Sequence, residues 1–317
     1  MNSMSHVLVA GGDSDPNVTA LISRLLARGI AHHTVLVGAS ASPTVTWRID
    51  RDELFLNGSR IEPAAVFARH DVFTTLNEGR PEPAFRASAW YTAIMGWAYS
   101  RRTVATINRN MAFSALCKPY VLCLAKEVGL PIPDTAISND YHDLLEEVPR
   151  DPVAKPLNGG DYTKTLRDVL SRTEVRGNAL AAPSIVQEQL VPPEIRIYGI
   201  GGNFLAFRVA ADALDYRSSP ACTLEPYPLD RLPHGVLYGL ELLMQKLGVD
   251  FGAADFKATR AGDLRFLELN TGPMFSAFDA TVGGALCDAM VDHLLRTSTT
   301  DATTTRTSRH QEAQGTR

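Results

Sequence analysis

No apolar run in this sequence approaches the ~18 residues that a membrane span needs, so an integral membrane protein is not expected. The amino terminus, MNSMSHVLVAGGDSDP, lacks a basic flank and carries only a short apolar stretch, which argues against a signal peptide. Positive charge shows no excess: 31 Lys and Arg stand against 35 Asp and Glu, a formal net charge of −4. Slight acidity of this kind does not suit a nucleic-acid surface, which needs a basic excess. Cysteine is sparse. The four cysteines, Cys117, Cys123, Cys222 and Cys287, form no CxxC pair and stand near no histidine at zinc-ligand spacing. They are expected to be buried free thiols in a reducing cytoplasm. His32-His33 lacks a third nearby ligand and reads as a surface turn rather than a metal site. No internal repeat is visible, and no Ser-His or Cys-His arrangement suggests a covalent nucleophile.

What is present is a globular composition, 45% apolar over 317 residues, long enough for two or three cores. HVLVA (His6–Ala10) reads as a buried strand ended by Gly11-Gly12. A helix follows from Pro16 to Gly29, with Asp15 as its cap and Pro16 in its first turn. A second apolar run at Thr34–Val37 makes this a β-α-β opening with a parallel sheet. GGDSDP is not GxGxxG, so the glycine pair does not mark a dinucleotide site. Thr44–Ile49 and Glu53–Leu56 suggest a hairpin, and Phe85–Arg102 carries a helical apolar stripe. From Ala112 to Gly129 the pattern is helical but broken at Lys118-Pro119. Short β-rich runs then follow to Arg217, an amphipathic helix ends at Leu247, and strands are expected at Val249–Lys257 and Leu264–Leu269. A final helix is expected near Gly283–Leu295, followed by a Ser/Thr-rich tail over 296–317 that reads as disordered.

The chemistry gathers in the second half. Glu268 and Asn270 lie two apart in RFLELN and so share a strand face. Asp255 precedes them in FGAADFK, across a turn at Arg260–Asp263 that can set it opposite Glu268. Two carboxylates and an amide oxygen form a hard set suited to Mg²⁺, the other reading being an acidic rim on an edge strand. Lys155 sits in a strand just before Asn158-Gly159-Gly160, where a glycine turn can press backbone N–H groups against phosphate. Lys118 is a second candidate charge. The strand SIVQEQL runs into Pro192-Pro193, a hinge that could present Glu188 and backbone groups to an adenine edge. Arg196 and Arg217 offer planar forks for a phosphate or carboxylate, or else surface ion pairs.

The order Lys118, Lys155 with its glycine turn, Gln187-Glu188, Glu194-x-Arg196, Asp255 and Glu268-Leu269-Asn270 is similar to that of ATP-grasp enzymes. It resembles the branch containing the ribosomal-protein glutamate ligase. Within that branch, Lys118–Asp140, Glu194-Ile-Arg196, Asp215-Tyr216-Arg217 and LGVDFGAADF resemble the microviridin-type, or graspetide, peptide macrocyclase synthetases. Those enzymes usually continue past the metal strand with a glycine-glutamine-aromatic segment, where this chain has TGPMFSAFD (Thr271–Asp279).

The resemblance implies an α/β (α+β) chain with the ATP-grasp fold. Its parts would be an N-terminal parallel-sheet pre-ATP-grasp domain (1–106), a central α+β subdomain (107–187) and a C-terminal α+β subdomain with the metal site (188–295). It implies ATP with two Mg²⁺ ions, Mn²⁺ being an alternative, held by Asp255, Glu268 and Asn270. Lys118 and Lys155 would neutralise phosphates, Asn158, Gly159 and Gly160 would close over them, and Gln187, Glu188 and Leu190 would line the adenine site. Arg196 and Arg217 would steady an acyl phosphate, which an amine or hydroxyl displaces to form an amide or ester. Expected partners are ATP, a carboxylate substrate, an amine or hydroxyl acceptor and a precursor peptide, with a homodimer as an option and neither nucleic acid nor membrane. A ligase of free amino acids or natural-product fragments is the other reading, ahead of an ATP-grasp small-molecule kinase.

Overall fold

The computed structural model describes residues 6–38, 43–73, 81–146, 151–157, 163–211 and 222–297. The contacts divide the chain into two units: 1–109 together with everything from Met274 onward, and Asn110–Pro273. Residues 188–295, expected as one subdomain, are therefore split, because the chain from Met274 on packs with the N-terminal unit.

The first unit is built on a four-stranded parallel sheet of order β2-β1-β6-β7, from Val7–Gly12 (β1), His32–Val37 (β2), Ala65–Ala68 (β6) and Ala105–Thr106 (β7). His32 and His33 lie inside β2, opposite Val7 and Leu8, rather than in a surface turn. Their run continues the extended β pattern of Thr34–Val37, so strand pairing overrode the polar signal. The helix Pro16–Ala27 (α1) is capped by Asp15, whose Oδ1 accepts from the backbone N–H of Asn17 at 2.8 Å. The glycine pair at the end of β1 answers a packing demand. A Cβ on Gly11 would lie 2.7 Å from Val18 Cγ2, and one on Gly12 only 2.6 Å from Asp71 Cγ.

The expected hairpin is a three-stranded meander, Val45–Arg48 (β3), Glu53–Leu56 (β4) and Ser59–Ile61 (β5). The helix Pro81–Ser100 (α2) contributes Ile94, Met95, Trp97 and Ala98 to a core shared with Leu8, Val35 and Leu54. After Met274 the chain forms a short helix, Ser276–Thr281, and then a helix over 285–297. Asn17 holds this return: its Oδ1 accepts from the N–H groups of Phe275 at 2.6 Å and Ser276 at 2.9 Å. The tail from 298 onward lies outside the described residues.

The second unit carries two antiparallel sheets. One has the order β10-β9-β11-β8, from Thr135–Asp140 (β8), Pro152–Pro156 (β9), Lys164–Thr165 (β10) and Ala179–Glu188 (β11). The other has the order β14-β13-β12-β15-β16, from Val191–Ile200 (β12), Asn203–Ala210 (β13), Thr223–Tyr227 (β14), Phe251–Ala258 (β15) and Leu264–Asn270 (β16). Gly201 and Gly202, at φ 52° and 85°, make the β12–β13 turn that glycine alone adopts without strain. Pro192-Pro193 is not a hinge between strands; it lies within β12, at a register shift between Val191 and Glu194. One face of the larger sheet, with Ile195, Ile197, Phe256 and Phe266, packs on the helices Lys118–Glu127 (α3) and Val236–Leu247. Pro119 in the first turn explains why the helical pattern restarts at Lys118 after the single 3₁₀ turn Phe113–Leu116.

All four cysteines are free, but only Cys287 is buried; Cys117, Cys123 and Cys222 are exposed. Cys117 caps, and Cys123 falls on the outward side of, a helix whose buried positions belong to Val121, Leu122, Leu124 and Ala125. Among the described residues, no helix is long and apolar enough to cross a membrane.

Candidate active site

The face of the larger sheet away from those helices carries the charged residues, beside the buried Tyr198 and Phe207. Register sets Arg196 of β12 opposite Asp255 of β15, Glu194 opposite Lys257, and Asp255 in turn opposite Glu268 of β16. The last pairing depends on a bulge. Phe266 and Glu268 lie two apart and would share a face in a regular strand. Phe256 faces Phe266 while the preceding Asp255 faces Glu268, so Leu267 is the extra residue that breaks the alternation. Phe266 consequently stacks edge-on against Phe256 in the core, with ring centroids 5.5 Å apart, and Glu268 turns to the polar side.

On that side the acidic and amide groups converge. Asn270 Nδ2 donates to Asp255 Oδ2 and to Glu268 Oε1, at 3.2 Å each. Arg196 Nε and Nη2 donate to the two oxygens of Asp255, both at 2.7 Å, with both side chains buried. A carboxylate has about four acceptor positions, so Asp255 retains one beyond those taken by Arg196 and Asn270. Lys118, the first residue of α3, places Nζ 3.0 Å from Glu268 Oε2. A cation in a first helical turn is opposed by the helix dipole by roughly 0.3–1 kcal/mol. The Glu268 carboxylate offsets that.

Burial alone would push the Glu268 carboxyl up, yet the Lys118 ammonium and its hydrogen bond, aided by Lys155, hold it below the usual value. Lys155, on β9 opposite Ile185, is pushed down by desolvation; the Glu268 charge opposes this and the Lys118 charge adds to it. Beside them, Lys257 Nζ lies 3.5 Å from Glu194 Oε2. Burial first, and the Asp255 charge second, raise the Glu194 carboxyl to about 7.

Of the residues named from sequence, Lys118, Lys155, Arg196, Asp255, Glu268 and Asn270 thus belong to one charge cluster. Gln187 does something else: buried, it donates from Nε2 to Thr135 Oγ1 at 3.0 Å and ties β11 to β8. Glu188 Oε1 accepts from the backbone N–H of Asp134 at 3.3 Å, and Leu190 is buried. Asn158, Gly159, Gly160 and Arg217 lie outside the described residues. Lys257 went unnamed, although its place two residues after Asp255 put it on the same face.

Among the described residues, no trio of His, Cys, Asp and Glu is gathered for a metal. Two carboxylates and the amide of Asn270 stand together, the amide turning Nδ2 to both carboxylates; side-chain oxygens of these types are ones that Mg²⁺ accepts.

The two antiparallel sheets and the parallel N-terminal sheet give this chain the fold of the ATP-grasp ligases. Peptide macrocyclase-like ligases of that superfamily are among the solved structures that share its fold. The chain is 25% identical to the ATP-grasp ligase PsnB, solved with a minimal precursor, Mg and ADP, over 91% of this chain and 97% of that one, with a TM-score of 0.69. The macrocyclase MdnC of Microcystis aeruginosa, bound to its precursor peptide MdnA, shares the fold at 18% identity over 92% and 99% of the chains, TM-score 0.64. So does the VanG D-Ala:D-Ser ligase of Enterococcus faecalis, at 12% identity over 93% and 99%, TM-score 0.59. No protein-family profile and no curated protein matches the sequence.

Proposed function

We propose that this ATP-dependent ligase activates a carboxylate of a precursor peptide as an acyl phosphate and couples it to an amine or hydroxyl of the same peptide. The observation that carries this is the cluster of Asp255, Glu268 and Asn270 with Lys118, Lys155 and Arg196 on its border. Asp255, Glu268 and Asn270 would hold Mg²⁺, which when bound would supply positive charge to the transferring phosphoryl group. Lys118 and Lys155, whose charges now face Glu268, are proposed to neutralise the ATP phosphates. Arg196 holds Asp255 in place through two hydrogen bonds, and Arg217 is proposed to join it in steadying the acyl phosphate. Glu188, Gln187 and the backbone near Leu190 are proposed for the adenine end, and Asn158, Gly159 and Gly160 for closure over the phosphates.

The attacking carboxylate takes the γ-phosphoryl group and ADP leaves. The acceptor then displaces phosphate from the acyl carbon and loses its proton. No enzyme nucleophile is consumed, so the protein's contribution is positioning and charge. The test is a screen by ADP release with acidic peptides and free amino acids side by side, using Glu268→Ala as control. Release that requires an acid and an acceptor excludes a kinase, and turnover of free amino acids alone would favour a small-molecule ligase. The segment Thr271–Asp279, which departs from the macrocyclase pattern, is the feature that keeps this second reading in play. A homodimer belongs to the same proposal and is read by sedimentation.

A further inference from the structure

Where the chain returns to the N-terminal unit, the sulfur of Met274 meets two strong hydrogen-bond donors. Arg69 Nη2 lies 3.1 Å from it and Asn17 Nδ2 3.2 Å. One carboxylate orients both. Asp15, fully buried, accepts from Arg69 Nε at 2.8 Å through Oδ2. Its Oδ1 accepts from the side-chain nitrogen of Asn17 at 2.7 Å and from the backbone N–H of the same residue at 2.8 Å. Asn17 is fixed again by the Phe275 and Ser276 N–H groups on its Oδ1.

A thioether sulfur is a weak acceptor, so a guanidinium and an amide directed at one make far less than their usual hydrogen bonds. A sulfoxide oxygen is polar and accepts strongly. Oxidation of methionine ordinarily harms a protein because it sets a polar group among apolar neighbours. Here the neighbours are donors. Access differs between the methionines as well. Met274 is 41% exposed, whereas Met95, Met244 and Met290 are buried and Met111 is partly so.

We propose that Met274 is a site of reversible oxidation by peroxide, and that Arg69 and Asn17 hold the resulting sulfoxide oxygen, tightening the return of the chain. In the step itself the sulfur lone pair attacks one peroxide oxygen and the O–O bond breaks. The proton left on the new S–O group passes to the departing hydroxide, which leaves as water. Sulfur gives up an electron pair and the peroxide is reduced by it; a sulfoxide reductase reverses the change. The inference concerns the N-terminal unit alone and is independent of the ligase reading.

The full-length protein is treated with hydrogen peroxide, mapped by mass spectrometry of its peptides, and compared with untreated protein in melting and hydrogen exchange. The expected result is one added oxygen at Met274 before any at Met95, Met111, Met244 or Met290. The oxidised protein should melt no lower than the reduced one and exchange more slowly at residues 274–281, and a methionine sulfoxide reductase should reverse both the mass and the exchange. Met274→Leu should show no peroxide response in exchange there. Met274→Gln, which offers an amide oxygen to the same donors, should melt above Met274→Leu without any oxidant. Earlier oxidation of the buried methionines, a fall in melting temperature, unchanged or faster exchange at 274–281, or a glutamine variant no more stable than the leucine one would overturn the proposal.

Discussion

Arg196 and Asp255 sit opposite each other on adjacent strands and share two hydrogen bonds of 2.7 Å, both side chains being buried. A surface ion pair of this composition is worth little, but removal of one partner from a buried pair leaves an uncompensated charge and costs about 3–5 kcal/mol. Arg196→Ala is therefore expected to lower the stability of the second unit by about that much and to abolish ADP release. Arg196→Met combined with Asp255→Leu should regain much of the stability and none of the activity. Chemical denaturation and ADP release, measured on both variants, separate the two effects.

Asn17 plays the corresponding part in the N-terminal unit. Its Oδ1 accepts from two backbone N–H groups, those of Phe275 and Ser276, while its Nδ2 donates to Asp15 Oδ1 at 2.7 Å. Asn17→Ala leaves two N–H groups at the return of the chain without that acceptor, at about 1–3 kcal/mol each. The expected outcome is a fall of several degrees in melting temperature, with hydrogen exchange accelerated first at residues 274–281.

Much of this site follows from strand periodicity. Reading two residues at a time sets Glu268 beside Asn270, and a short turn at Arg260–Asp263 brings Asp255 across from Glu268, as found. The same rule puts Phe266 on the face of Glu268, where it is not; the bulge at Leu267 resolves two demands that alternation cannot meet together. Bulges are set by packing between strands and leave no local mark in composition. Gln187 shows another limit. A polar residue near a strand end looks available to a ligand, and only the pairing of β11 with β8 reveals that Thr135 takes its amide. The return of the chain to the N-terminal unit after Pro273 was illegible for the same reason, since Asn17 and Phe275 are far apart in sequence.

Lys155 joins the cluster from the smaller sheet, with desolvation holding its ammonium below the ordinary lysine value. A bound phosphate prefers the charged form, so nucleotide affinity should fall as pH rises through that lowered value, earlier than for an exposed lysine. Lys155→Ala should weaken ATP binding about ten- to hundredfold, the equivalent of one charge-assisted hydrogen bond of roughly 1.5–3 kcal/mol. Lys155→Arg should retain part of the affinity and flatten its alkaline decline. Calorimetric titration over the alkaline range below the ordinary lysine value checks both; an affinity unchanged in the alanine variant refutes the assignment.

Glu194 supplies the acid-side counterpart. Its carboxyl is raised from 4.5 to about 7, chiefly by burial and next by the Asp255 charge, against the pull of Lys257 and Arg196. Between those two values the folded protein holds a proton that the unfolded chain has released. Stability therefore falls as pH rises through that window, by an amount on the order of 3 kcal/mol for a shift of this size. Glu194→Gln keeps the shape and removes the titration. Relative to that variant, the wild-type melting temperature should decline from pH 5 to pH 7 (about the window named) and run parallel to it above. Parallel curves throughout would show that Glu194 is already ionised at pH 5, with Lys257 rather than burial deciding its charge.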